Sequence, residues 1–404
     1  MSKKIRGLVA FASLIVLSLF LLNCGSSSSH PSGILLATSQ GTAEVDSFAI
    51  DLDNGKLTEI NTAAPTDTFP SDIVLDPSGG VAFVLNQGAG SLTPSITAYT
   101  VNSNGTLTKS GASTPISVPN AVSMRRDAAG KFLFVASQGT IPPPASCNPP
   151  VAGCAAVSVF SIQSGSTSVS EVAGSPFLLQ RVASFAGPVD TPNGTLLYVT
   201  NIQDLSGTHN DNTVSVFNVD DSGTITEVLG SPYLTTSAPT TVLPVSIAPT
   251  GGSTQLFVYV ANQTTNNIDI FDVCIVVNGA CTQTDVDDAL MTRVGSPQSV
   301  GQKPTAMIVD PTNNFLYVLN HDSSSVSGFR INPSTGALTA LNPATVSVGA
   351  NPFGITMHPN GEFLYVSNLG TNNITGFTAS TTTGALGTPV TVTTPAQPAG
   401  LVAK

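Results

Sequence analysis

From residue 33 onward the chain is a succession of short apolar and alternating runs, separated by Gly, Asn, Asp and Ser, and one pattern keeps returning. VDSFAI, SITAYTV, AVSVFSI, TVSVFNV, NIDIFDV, SVSGFRI and NITGFTA largely alternate apolar with polar residues, the period of a half-buried strand. Each is preceded by an element of the form FLYVxN, or a degenerate copy, around Ala37, Val84, Val135, Val199, Val260, Val318 and Val366. Each is followed by a turn such as DNG, SNG, DSG or TG, which is hairpin chemistry. The last two copies, FLYVLNHDSSSVSGFRINPSTGAL (315–338) and FLYVSNLGTNNITGFTASTTTGAL (363–386), are offset by 48 residues without a gap and agree at 11 of 24 positions.

One unit reads as an apolar strand ending in Asp-Pro or His-Pro, a Gly or Asn turn, the FLYVxN strand, a polar loop, the alternating strand, and a short Thr-Leu-Thr strand. Seven such units of four antiparallel strands predict an all-β, seven-bladed β-propeller over residues 33–404 rather than a sandwich. The first unit starts at Gly33 with its second strand, and PAGLVAK at the C-terminus supplies the missing first one. Pairing the two ends within one blade closes the ring and leaves no open edge. A solenoid of the same repeats would instead need polar caps.

The N-terminus stands outside this pattern. Lys3, Lys4 and Arg6 precede an apolar run from Leu8 to Leu22, then Asn23, Cys24, Gly25 and the tract Ser26–Ser29, the layout of an export signal. LLNC resembles a bacterial lipobox, with Asn23 where a small residue is usual. The expectation is a signal over 1–23, lipidation at Cys24, a flexible tether over 24–32, and a monomer in the cell envelope facing the periplasm or the cell surface. An uncleaved N-terminal anchor is the alternative, and it gives the same compartment. Without the signal, 10 Lys and Arg face 24 Asp and Glu, a net charge of −14. That excludes nucleic acid as a partner, because a phosphate backbone demands clustered cations. Four cysteines remain, in CNPPVAGC and CIVVNGAC. Of the three possible pairings, two local bridges, Cys147–Cys154 and Cys274–Cys281, suit these hairpin-length loops. Neither segment has CxxC spacing or nearby His for zinc, and no metal or cofactor is expected.

Tyr198, Val199, Thr200 and Asn201 spell YVTN, and residues 34–404 resemble the YVTN-type propellers of the lactonase-like superfamily, which includes 6-phosphogluconolactonase relatives and cycloisomerases. The resemblance implies the propeller fold, and the motif is one of blade packing. The lactonase branch it resembles carries PHxHS at the start of one blade and PRH with a later VNE in another. The corresponding stretches here are Pro119, Asn120, Ala121, Val122, Ser123 and Pro304, Thr305, Ala306, with His321 after Asn320. Opening a lactone needs a base to activate water and a cation or donor for the developing oxyanion. Val122 and Ala306 can do neither.

The sequence reading therefore favours a non-catalytic module that binds a protein or glycan partner through one loop face, with a divergent lactonase or hydrolase as the alternative. Long loops on a rigid scaffold are where binding residues gather. The second-to-third strand loops vary most, so His209, Asp211 and His321 are binding candidates, with Asn201 and Asn320 beside them. The recurrence of that Asn in most blades is explained better by bonding to neighbouring backbone than by a single ligand. His358 takes the turn place of Asp76 and Asp310 and reads as structural. Arg125 and Arg126 either face the central channel or pair with Asp127. DLDNG at 51–55 resembles a calcium loop but lacks the downstream Glu and coincides with the general turn.

Overall fold

The computed structural model describes residues 32–60, 63–88, 93–140, 153–191, 194–203, 212–235, 244–249, 256–273 and 291–404. These residues form seven antiparallel sheets and contain no helix. The innermost strands of blades two to seven are Pro70–Leu75, Ala121–Arg126, Val182–Thr191, Pro244–Pro249, Pro304–Val309 and Pro352–Met357. Blade one receives its innermost strand from the other end of the chain: Pro398–Ala403 pairs with Ser32–Ser39, setting Leu35 opposite Ala403 and Ala37 opposite Leu401. Each inner strand touches the next, Pro398–Ala403 lying between those of blades seven and two, so the ring is closed. The propeller read from the repeats is thus the observed architecture, and its closure is the expected one.

The outer strands differ from a simple four-strand blade. In blades one to five the fourth strand is broken into two short pieces that both pair with the third, as Leu107–Lys109 and Thr114–Pro115 do with Ser95–Val101. In blades three to five the break carries Gly-Ser-Pro at 174–176, 230–232 and 295–297. Proline has no N–H to give a ladder, so pairing stops there and resumes beyond it.

Blades are stapled by the FLY element and the turn glycine of the next blade. Phe257, Phe315 and Phe363 lie against Gly336, Gly384 and Gly55, each at positive φ; a Cβ on Gly336 would come 2.5 Å from the Phe257 ring. Two residues further on, the hydroxyls of Tyr259, Tyr317 and Tyr365 donate to the carbonyls of those same glycines at 2.9, 2.8 and 2.9 Å. A turn that needs left-handed backbone and must also pass under an aromatic ring admits only glycine. Each buried hydrogen bond adds about 1 kcal/mol. The Tyr365–Gly55 bond joins blade seven to blade one, so the same device also holds the seam.

The turns between first and second strands are held by a side chain at one repeated position. Asp76, Asp127 and Asp310 accept from the N–H of Val81, Phe132 and Phe315 at 2.8, 2.8 and 2.7 Å. His358 stands in the same place, accepts from Asn360 N–H at 3.2 Å through Nδ1, and meets Phe363 edge-on. Burial pushes the Asp76 carboxyl up, but hydrogen bonds from Ser78 and from the N–H groups of Gly165 and Val81 outweigh it and bring its pKa to about 2. Gly165 belongs to blade three, so this carboxylate also links two blades. The Asp51 turn is closed by its own chain: Asp51 accepts from Asp53 N–H at 2.9 Å and from the Asn54 amide at 2.7 Å.

Candidate functional site

Two local devices aim side chains at the axis. First, every inner strand of blades two to seven has a register shift near its start, between Pro70 and Asp72, Ala121 and Ser123, Ala183 and Phe185, Pro244 and Ser246, Pro304 and Ala306, and Pro352 and Ile355. A bulge breaks the alternation of faces and turns consecutive side chains the same way. Second, the residue before the inner strand takes left-handed backbone at Phe69, Asn120, Lys303, Asn351 and Gln397. Its carbonyl accepts from the residue after the second strand: Gln87, Gln138, His321, Leu369 and Gln40 respectively, at 2.9–3.0 Å. Those residues are thereby drawn to the rim on the side of the second-to-third strand loops.

The result is a central cavity of about 630 Å³, within the range of small-molecule sites. Arg125 on its wall is held from three blades. Its Nη1 donates to the Asp72 carboxylate of blade two and to Met124 carbonyl at 2.7 Å, and its guanidinium lies 4.7 Å over the Phe185 ring of blade four. Asp72 is itself fixed, accepting from Met124 N–H at 3.0 Å and from Ile73 N–H at 3.1 Å. Arg125 thus faces the channel and pairs with Asp72, not Asp127. Arg126 points elsewhere, to the carbonyls of Leu75, Asp127 and Ala128.

At the rim of blade six, His321 Nδ1 lies 2.6 Å from Asp322 Oδ1, and Lys303 Nζ lies 3.6 Å from the same oxygen. The His321 hydrogen bond, and behind it the Lys303 charge, hold the Asp322 carboxyl below the ordinary carboxylate range. A carboxylate only accepts, so the imidazole proton sits on Nδ1 and the lone pair on Nε2. That is the tautomer a general base requires. His321 and Lys303 line the same cavity as Arg125 and Asp72. Val122 and Ala306 line it as well, so the positions that resemble the lactonase motifs do face the axis, while the His and Arg come from other positions.

The remaining candidates are placed differently. Asn201 and Asn320 are buried, 1% and 0% exposed. Asn201 donates to the hydroxyls of Thr213 and Ser215, both at 3.0 Å, and Asn320 to those of Ser325 and Ser327 at 3.2 and 2.9 Å. Asn86, Asn262 and Asn368 do the same with two side-chain oxygens two residues apart on the third strand. The recurrent Asn therefore ties second strand to third, chiefly through side chains where sequence reading expected backbone. His209, Asp211, Cys24, Cys147, Cys274 and Cys281 lie outside the described residues. Gln87, Gln138 and Gln263, all cavity-lining, were missed. The signal was available, since each directly follows the last residue of the FLYVxN element.

The family model described as "Lactonase, 7-bladed beta-propeller" matches residues 28–126 and 210–351, more than half of the chain. The chain belongs to this family. Among solved structures it is similar to a periplasmic gluconolactonase of Pseudomonas aeruginosa, at 18% identity and a TM-score of 0.70, over 92% of this chain and 98% of the other. It is also similar to a Bacteroides fragilis protein provisionally named a 6-phosphogluconolactonase, at 16% identity and a TM-score of 0.69, over 94% and 99%. At such identities the lactonase-family likeness extends to the fold. No curated protein matches the sequence.

Proposed function

We propose that the central cavity binds a small lactone and that His321 activates water to open it. The observation that carries this reading is the Asp322-oriented His321 in one cavity with Arg125 and Lys303. In that reaction His321 Nε2 takes a proton from water as the oxygen adds to the lactone carbonyl. A cation of the wall, Arg125 or Lys303, stabilises the oxyanion. Collapse breaks the ring C–O bond, and the imidazolium returns its proton to the departing oxygen, leaving a hydroxy acid. The purified chain is expected to accelerate hydrolysis of D-glucono-1,5-lactone above its spontaneous rate, followed as acid release at constant pH. Val122 and Ala306, standing where the resembling motifs have catalytic groups, favour a second reading, a binding module without chemistry. Tight lactone binding with no acceleration would decide for the second.

We also propose export and lipidation at Cys24, supported by the charged, apolar and LLNC segments before the Ser tract. Ser32 opens a second strand, beside the turns of the opposite face: Gly33 adjoins His358 and Lys404. A tether leaving there sets the cavity rim with His321 away from the membrane. The local bridge Cys147–Cys154 is supported by the disulfide-bonded state of Cys154; Cys274–Cys281 rests on spacing. A palmitate analogue fed to expressing cells should label the wild type and not Cys24→Ala, and unreduced peptide maps of that material should contain both local bridges. Equal labelling, or a crosslink between the two segments, would refute the respective assignment.

A further inference from the structure

Lactones of sugar acids occur with and without a phosphate ester, and the cavity carries observations that distinguish the two. Resting on the reading of the central cavity as a lactone site, we infer that it selects an uncharged, hydroxyl-rich ring over its phosphorylated counterpart.

The first observation is the charge balance. Arg125 and Lys303 are the cations among the described lining residues. Arg125 faces Asp72 and Lys303 faces Asp322, so the four charges cancel. Arg125 spends Nη1 on Asp72 and on the Met124 carbonyl while its plane stacks on Phe185. A phosphate monoester carries a charge of −1.5 to −2 near neutral pH, and its strong partners are guanidinium forks and ammonium groups with donors to spare. Arg181, on the connection into blade four, is not a lining residue.

With a formal charge of −11 for the whole chain, the long-range field also opposes an approaching dianion.

What the cavity does offer suits hydroxyl groups. Gln87, Gln138 and Gln263 reach it from blades two, three and five. An amide both donates and accepts, as a hydroxyl does. Ser71 and Thr305 also line the cavity. Phe353, 41% exposed on the wall of blade seven, presents an apolar face to ring C–H groups.

The test uses 1,5-anhydro-D-glucitol and its 6-phosphate, which share the ring and its three ring hydroxyls and lack the lactone carbonyl. Binding of each to the full chain is measured by ligand-observed NMR at about 0.15 M salt, where surface charge is screened beyond roughly 8 Å. The neutral probe is expected to bind at least tenfold more tightly than the phosphate. Gln87→Ala combined with Gln138→Ala should weaken the neutral probe at least fivefold at unchanged Tm. Asp322→Asn, which unpairs Lys303, should narrow the gap between probes at least threefold. Equal or tighter binding of the phosphate, no binding of the neutral probe, or indifference to both variants would overturn the inference. Because neither probe can be hydrolysed, absent lactone turnover with preserved neutral binding counts against the hydrolytic reading alone.

Discussion

Deleting Pro398–Lys404 is expected to remove most of the stability of the propeller. The strand Pro398–Ala403 is the innermost layer of blade one and lies against the inner strands of blades two and seven. Leu401 and Ala403 belong to a core with Leu35, Phe48, Phe363 and Tyr365, and Ala399 is wholly buried. Gly400 N–H donates to Thr38 Oγ1 at 2.8 Å, in a place where a Cβ would meet the backbone of Asp72. A buried Leu contributes about 2 kcal/mol, and each ladder hydrogen bond about 1 kcal/mol. The strand therefore accounts for about 5–10 kcal/mol, against a total stability of about 5–15 kcal/mol for ordinary domains. Calorimetry should find no cooperative transition, or one lowered by more than about 10 °C, and a synthetic peptide of residues 396–404 should restore part of it. A melting temperature within 2–3 °C of the wild type, roughly the effect of 1 kcal/mol or less, would show that the ring does not depend on this strand.

The second large effect is on turnover. His321→Ala is expected to lower kcat for the lactone by about 10²–10⁴-fold, the usual contribution of a general base, while lactone affinity changes less than about threefold. Imidazole added to the buffer should recover part of the rate, because the vacated rim can admit it. Asp322→Asn should lower kcat by a smaller factor, since the amide can present its NH₂ to Nδ1 and favour the wrong tautomer. His321 is half-buried at the rim and belongs to none of the blade cores, so the melting temperature of His321→Ala should not move. An unchanged kcat in His321→Ala would eliminate this residue as the base and assign water activation to another group of the cavity wall.

The residues differ in how far their sequence context reveals them. Phe363, Tyr365 and Gly55 act on one another across the seam, yet each is visible alone because its counterpart recurs in other blades. His358 was legible for the same reason: it occupies a turn position that Asp76 and Asp310 hold elsewhere. Arg125 could be found as a charge at the end of an inner strand but not assigned, because its partner Asp72 lies 53 residues away in another blade. Asn201 and Asn320 were legible as a repeat, and the repeat marks strand pairing. Gln87, Gln138 and Gln263 stayed hidden although their position recurs, because an amide has no distinctive chemistry until several converge.

The sequence by itself determined the blade count, the strand order and the joining of the two ends, because hydrophobic period and turn chemistry are local and were repeated seven times. It also revealed the candidate export segment, whose layout is linear. Only the tertiary structure decided what stands in the cavity. The wall is assembled from short runs of residues roughly one repeat apart, and strand bulges and left-handed residues turn side chains that plain alternation would send into the sheets. That Arg125 is paired follows from the neighbour the ring brings within hydrogen-bond reach, about 3 Å.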